Sequence, residues 1–151
     1  MILAKLTLAQ VNWATAQALG LGVYVKEGVV CLTASSPFAD NGQYWLPTQD
    51  LGECEKLLKE PLDSIRPMAV VPHITPSPLG DKWGYIASGG SSVTGFSTVH
   101  ARGSYEGRGM TMAEAICRAF LAKNFLVLQE KGIATLDAFG NILISTPEEL
   151  A

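Results

Sequence analysis

Two arginines and a tyrosine in a glycine-rich stretch carry the clearest binding chemistry of the sequence. Arg102 and Arg108 flank Tyr105 in the segment 102–109. A guanidinium presents a planar fork of donors to phosphate or carboxylate groups, and it also stacks on aromatic rings. Because loops often carry function, we predict a doubly basic loop that contacts an anionic ligand. The competing and commoner interpretation is a solvated face without a ligand.

A second candidate for anion binding is the run Gly89-Gly90-Ser91-Ser92. Glycines expose backbone amides to a phosphate, and the hydroxyls of Ser91 and Ser92 add further donors. The run lacks the spacing and the lysine of a P-loop, so a plain connection between two strands is the favoured alternative.

An aromatic side chain beside a loop offers a stacking surface for a planar ligand or an anchor for a protein partner. Trp45 is the best such candidate, and the polar residues Thr48 and Asp50 follow it on the same segment. The predicted ligand-binding residues are therefore Trp45, Thr48, Asp50, Ser91, Ser92, Arg102, Tyr105 and Arg108.

Catalytic motifs are scarce in the chain. Both histidines, among them His100, fall in predicted strands without a partner at helical spacing, which favours a structural role. Cys31, Cys54 and Cys117 lie on apolar stripes, where an inert core thiol is the usual outcome. We predict no catalytic residue, no metal site and no cofactor. A nucleotide-processing enzyme that uses His100 and Glu106 is the weakest alternative.

Length and charge narrow the class of protein. A chain of 151 residues that is 48% hydrophobic has enough apolar surface for one core, so we predict a single domain over 1–151. Eleven Lys and Arg residues against fourteen Asp and Glu give a net charge of -3, which argues against a double-stranded nucleic acid partner. No run approaches the roughly 18 apolar residues of a membrane span. The odd number of cysteines, without a C-x-x-C pair, favours a reducing cytoplasm.

Two capping-box patterns and apolar spacing predict the helices. Thr7 with Gln10 and Thr111 with Glu114 each place a hydroxyl and a carboxylate or amide where they satisfy the first turn. In the middle helix, Leu51 is predicted on the buried face. The predicted helices span 7–19, 51–60 and 112–128.

Alternating β-branched residues and turn formers predict the strands. The predicted strands lie in hairpins at 23–33 and 133–145 and in central segments at 68–74, 83–87 and 93–101. The order of elements predicts an α+β fold, with an antiparallel sheet of about four to five strands sandwiched by helices, plus a C-terminal hairpin.

Four collinear segments carry a family resemblance. They are LTLAQVNWATAQALGL at 6–21, PTQDLGE at 47–53, MAEAICRAFLAK at 112–123 and PEEL at 147–150. This pattern resembles the NinX-like family of small bacteriophage accessory proteins, which is related to the phage ABA-sandwich domain.

The resemblance implies a helix–sheet–helix sandwich that acts as a counter-defence factor in the host cytoplasm. With the candidate residues above, the favoured function is sequestration of a small anionic, nucleotide-type signal by a homo-oligomer. The alternative is an inhibitor that binds a host defence protein directly, which suits the acidic net charge and the aromatic residues near loops.

Overall fold

The computed structural model describes residues 1–36, 38–59, 69–72, 85–89 and 105–150. Its helices are α1 (Leu8–Leu19), α2 (Leu51–Lys59), α3 (Met112–Lys123) and α4 (Phe125–Glu130). Its strands are β1 (Val23–Lys26), β2 (Val29–Leu32), β3 (Ala69–Pro72), β4 (Tyr85–Gly89), β5 (Tyr105–Gly109), β6 (Ala134–Leu136) and β7 (Ile142–Ile144). The described part of the chain thus combines helices with small antiparallel sheets, in agreement with the predicted α+β class.

Both predicted capping boxes are confirmed. The Thr7 hydroxyl accepts a hydrogen bond from the Gln10 amide at 3.2 Å, and the Thr7 amide donates to Gln10 Oε1 at 2.8 Å. Thr111 and Glu114 repeat the arrangement at the start of α3, with distances of 3.2 and 3.0 Å. Each box satisfies amides that the first turn of a helix leaves without partners.

The predicted helix 112–128 is wrong in its extent, because Asn124 divides it into α3 and α4. The buried Asn124 side chain donates from Nδ2 to the Phe120 carbonyl at 2.8 Å, and its backbone ψ of 24° leaves the helical range. The backbone amide of Asn124 donates to the same carbonyl at 3.0 Å, so the last turn of α3 ends on a doubly bonded Phe120 oxygen.

The two predicted hairpins are confirmed. Glu27 and Gly28 join β1 to β2 with φ angles of 53° and 77°, the left-handed pair that a two-residue turn requires. At the tip of the β6–β7 hairpin, the Asp137 carboxylate accepts from the amides of Phe139 and Asn141, both at 2.8 Å. The side-chain amide of Asn141, which donates to Asp137 Oδ2 at 3.0 Å, lowers the pKa of Asp137, and these backbone hydrogen bonds lower it further.

The described strands form three separate antiparallel sheets, and none has the predicted four to five strands. The central sheet has the order β3-β4-β5, while β1-β2 and β6-β7 are two-stranded. The outer edge of β2 pairs instead with the following segment, since Trp45 N donates to Val30 O at 2.8 Å and Leu32 N to Gln43 O at 3.0 Å. Residues 43–45 thus occupy the edge of β2, which is then not available to pair with a strand of the central sheet.

The segment predicted as a basic loop at 102–109 contains a strand instead, since β5 begins at Tyr105 and pairs with β4. Gly107 and Gly109 lie directly against α3. A Cβ at Gly107 would overlap Ala119 N and Ala115 O, and one at Gly109 would stand 2.7 Å from Ala115 N. The glycines therefore permit a close approach of strand and helix, which their sequence pattern does not distinguish from a flexible loop.

Helix α3 lies at the centre of the described fold. It packs on β4 and β5 on one side and on α1 and α2 elsewhere. Ile116, Ala119 and Phe120 of this helix are buried, whereas Met112 is half-buried. The predicted strand at 93–101 lies outside the described residues.

We expect Gly107→Ala to lower the free energy of unfolding by at least about 3 kcal/mol, because the added methyl group meets backbone atoms that no rotamer change moves aside. Urea unfolding followed by circular dichroism measures the change. Gly52→Ala in α2 is the matched control, since its Cβ meets only Asp50 Oδ1 at 3.2 Å, and we expect a change within about 1 kcal/mol. Equal losses in the two variants would contradict the close packing of β5 on α3.

Candidate functional site

The buried side chain of Asn12 in α1 fastens the segment that precedes α2. Asn12 Oδ1 accepts from Thr48 N at 3.1 Å and from Thr48 Oγ1 at 2.9 Å. The Asn12 carbonyl oxygen accepts from Trp45 Nε1 at 2.8 Å. Three buried hydrogen bonds thus hold residues 45–48 against α1. Because the donors and acceptors are shielded from water, leaving one of them unpaired would cost free energy of folding.

Two of the predicted ligand-binding residues belong to this buried network. Trp45 is 1% exposed, and its ring meets Phe38 edge-to-face with centroids 5.7 Å apart. Thr48 is also buried, and both its amide and its hydroxyl donate to Asn12. In this arrangement Trp45 and Thr48 position the neighbouring chain. Trp45 presents no open face to a ligand, and Thr48, which lines a neighbouring cleft, is only 2% exposed.

Asp50, the third predicted residue of this segment, lies at the surface immediately before α2. Its Oδ1 accepts from the amide of Glu53 at 3.2 Å, which is the geometry of a side chain that caps a helix. The Asp50 carboxylate therefore caps the N-terminus of α2, and the Asp50 side chain is exposed to solvent.

Two adjoining clefts flank the segment that Asn12 holds. The α3 cleft has a volume of about 590 Å³ and lies between this segment and the start of α3. The α2 cleft has a volume of about 500 Å³ and lies between the same segment and the start of α2. Gln49 and Leu51 line both clefts, so the two form one continuous concave surface.

Large apolar side chains stand exposed around these clefts. Tyr44 is 58% exposed, Leu51 43% and Met110 57%. Leu51 was predicted on the buried face of its helix, and this prediction is wrong, because α2 turns Cys54 and Leu57 toward α3 and leaves its first residue outside. Clustered exposed apolar residues with a polar rim are typical of interaction surfaces.

Among the described residues, the charged groups that line the clefts are three carboxylates, Asp50, Glu53 and Glu114. Glu114 belongs to the cap of α3, where its Oε2 accepts from the amides of Met110 and Thr111. Glu53 Oε1 pairs with Lys56 Nζ at 3.1 Å, while the buried Oε2 has no hydrogen-bond partner among the described residues. This surface therefore favours a ligand that brings positive charge or N–H donors.

The residues predicted to bind an anion do not line the two clefts among the described residues. Arg108 lies on β5 between the two glycines that face α3, so its side chain projects from the other face of the strand and is half-buried. Ser91, Ser92 and Arg102 lie outside the described residues, as does His100, the histidine of the enzyme alternative. Of Tyr105, the structure describes only its place at the start of β5.

A buried arginine that the sequence did not single out ties the central helix to two other segments. Arg118 donates from Nη1 to the Arg108 carbonyl at 3.1 Å and from Nη2 to the Leu6 carbonyl at 3.0 Å. Burial lowers the pKa of Arg118, and the charge of Glu114 opposes that shift. An arginine at the fourth position after Glu114 on an otherwise apolar helix is the signal that marks it.

All three cysteines are buried and none forms a disulfide. Cys54 of α2 and Cys117 of α3 face each other, with their sulfur atoms 3.8 Å apart. Burial raises the pKa of the Cys117 thiol well above its usual value, and the hydrogen bond with Cys54 raises it further. Within the described ranges, no group of three or more His, Cys, Asp or Glu side chains is arranged to hold a metal ion.

Comparison with family models, with curated proteins and with solved structures found no match to this chain. The resemblance to NinX-like proteins therefore stays a prediction that rests on the four segments quoted above. Among the described helices, none combines the length and apolarity of a membrane-crossing segment.

We expect Asn12→Ala to lower the free energy of unfolding by about 1–3 kcal/mol, because it leaves the buried amide and hydroxyl of Thr48 without an acceptor. Hydrogen exchange should also become faster at residues 45–51, which the network holds. Gln17→Ala, at a half-buried position of the same helix, should change stability by less than about 0.5 kcal/mol. Unchanged exchange at 45–51 in the Asn12 variant would contradict the assigned role of Asn12.

Proposed function

We propose that this protein acts by binding a protein partner through the surface formed by Tyr44, Leu51 and Met110 around the two clefts. We call this surface the docking face. The observation that carries the proposal is the exposure of these three apolar side chains on a concave surface whose backing is fixed by buried hydrogen bonds. A rigid backing lowers the entropy cost of association, since little of the face must be ordered on binding.

The charge of the docking face specifies the partner further. Its rim carries Asp50, Glu53 and Glu114, and no Lys or Arg is found among the lining residues that the structure describes. We therefore propose a partner segment that combines apolar anchors with Lys or Arg side chains. Complementary charges of this kind raise association rates and set orientation more than they raise affinity.

This proposal corresponds to the alternative drawn from the sequence, an inhibitor that binds a host defence protein directly. A counter-defence role in the cytoplasm of a phage-infected host belongs to the same proposal and is supported by the family resemblance alone. We also propose that the three-stranded sheet is part of a larger helix–sheet–helix sandwich of four to five strands. The packing of α3 on β4 and β5 supports one layer of that sandwich.

We expect the double variant Leu51→Ser, Met110→Ser to bind its partner at least about tenfold more weakly, because two apolar anchors are lost from the centre of the contact. The partner is captured from host lysate with the intact protein, identified, purified and titrated by calorimetry. Leu126→Ser is the matched control, since Leu126 is 64% exposed on α4 and lies on neither cleft. We expect its dissociation constant to stay within about twofold.

The electrostatic part of the proposal is tested on the same complex. Asp50→Asn with Glu53→Gln should slow association and flatten its dependence on salt, because the rim loses its attraction for a basic segment. Glu130→Gln with Glu149→Gln makes the same change in net charge at exposed positions away from the clefts.

A partner whose affinity responds equally to Leu126→Ser and to the double apolar variant would exclude the docking face.

A second candidate function, sequestration of a small anionic nucleotide, is favoured by one observation. The register pairs Gly89 with Tyr105, so the chain enters and leaves the segment 90–104 at adjacent strand ends. The predicted anion-binding residues Ser91, Ser92 and Arg102 belong to that segment.

For this second candidate we expect a nucleotide that binds with micromolar affinity to stabilise the protein by about 2.7 kcal/mol at a hundredfold excess over its dissociation constant. Thermal unfolding against cyclic nucleotides and ADP-ribose derivatives measures the effect. Arg102→Gln should abolish the stabilisation, whereas Arg108→Gln, on the strand interior, should change it less. The absence of any shift across the panel would reject this candidate and leave the docking face as the proposed site.

A further inference from the structure

The two thiols between α2 and α3 are close enough to react with each other. Cys54 Sγ and Cys117 Sγ are 3.8 Å apart, and both side chains are completely buried. A disulfide requires about 2 Å between the sulfur atoms, so closing the gap takes a movement on the scale of a side-chain rotation. Cys31, the third cysteine, is buried in β2 and has its thiol directed to the Val29 carbonyl.

In the packed fold the Cys117 thiol is held in its protonated form. Burial raises the pKa of Cys117, which disfavours the thiolate that reacts with an oxidant. Cys54 Sγ lies 3.5 Å from the Ala113 carbonyl oxygen, and both sulfur atoms are buried away from solvent. An oxidant therefore reaches the pair only when one of the two helices moves aside.

Helix α2 is the element that can give this access. It has nine residues and packs chiefly on α3, with Cys54 and Leu57 as the buried contacts among its described side chains. Helix α3, in contrast, is buried along nearly its whole length. A short helix with few buried contacts opens at a lower free energy than the core on which it lies.

We propose that Cys54 and Cys117 form a redox modification site, in which a peroxide converts the two thiols into an intramolecular disulfide that links α2 to α3. The proposal is independent of the docking face, since it rests on the two sulfur atoms and on the packing of their helices.

The chemistry proceeds in two steps. As α2 opens, the Cys54 sulfur attacks one peroxide oxygen; the O–O bond breaks, the leaving hydroxide takes up the Cys54 thiol proton as one water, and Cys54 sulfenic acid is formed. Cys117 sulfur then attacks the Cys54 sulfur, the S–S bond forms, and the hydroxyl leaves as a second water with the Cys117 proton. The two sulfur atoms together lose two electrons, which reduce the two oxygens of hydrogen peroxide to two waters.

The link would change the surface next to it. Cys54 follows Glu53, which lines the α2 cleft, and Cys117 lies one helical turn after Ala113, which lines the α3 cleft. A covalent bond between α2 and α3 therefore joins the walls of the two clefts and removes the opening motion of α2. The bond closes a loop between positions 63 residues apart.

The test uses the Cys31→Ala variant of the full chain, in which only the proposed pair remains. The folded protein is treated with hydrogen peroxide, alkylated under denaturing conditions and analysed by mass spectrometry. We expect a monomer that is 2 Da lighter and takes up no alkylating group, whereas the untreated sample takes up two. Trypsin should then release one cross-linked pair, 27–56 joined to 109–118, which dithiothreitol separates.

Two further samples make the result decisive. Cys117→Ser in the Cys31→Ala background should give no loss of 2 Da and no cross-linked peptide, and circular dichroism verifies that it is folded. The oxidised Cys31→Ala protein should have a higher thermal midpoint than its reduced form, because the cross-link restricts the unfolded chain. Retention of two alkylatable thiols after peroxide treatment, or cross-linking only between separate chains, would overturn the proposal.

Discussion

The backbone of β5 rests against the backbone of α3, and the remaining elements are arranged around that contact. It exists because Gly107 and Gly109 have no Cβ where the helix passes closest. With the sheet on one side, α3 still has apolar side chains on its other sides, and α1 and α2 cover them. The position of the α3 N-terminus, and with it of Met110 and Glu114 at the docking face, therefore derives from two glycines in a strand.

Polar atoms determine the shape of the clefts as much as apolar packing does. Asn12 is placed in the middle of α1, where an apolar residue would bury more surface. Its amide oxygen and backbone carbonyl instead receive three donors from the segment that leads to α2. A buried polar group that accepts hydrogen bonds in this way specifies one arrangement of neighbouring elements, since other arrangements leave the donors of Trp45 and Thr48 unpaired. Trp45 and Thr48, which resemble ligand-binding residues in the sequence, serve this arrangement.

Local signals in the sequence predicted the parts of the fold that local chemistry determines. The capping boxes at Thr7 and Thr111 and the hairpin at 23–33 formed as expected, because each depends on residues only a few positions apart. The strand β5 could not be predicted in this way. Its glycines have the composition of a loop, and only the packing of the helix that follows, α3, gives them a reason to be in a strand.

The burial of individual residues at the candidate site also depends on segments that are distant in the sequence. Trp45 lies beside a turn-rich stretch, so its burial depends on Asn12, which is 33 residues away in sequence. Leu51 has the spacing of a buried residue, yet as the first residue of α2 it extends beyond the surface that α3 covers. The separation of the strands into small sheets also depends on which segment pairs with the edge of each strand, as residues 43–45 do along β2.

The guanidinium of Arg118 has a consequence for how the molecule comes apart. One cation holds the carbonyls of Arg108 and Leu6, the second of which lies 112 residues earlier in the chain. If either segment detaches, the buried guanidinium of Arg118 loses an acceptor, which destabilises the packing of α3. Arg118 thus couples the amino-terminal turn, β5 and α3, and we expect the three to unfold as one cooperative unit in which the start of the chain does not fray independently.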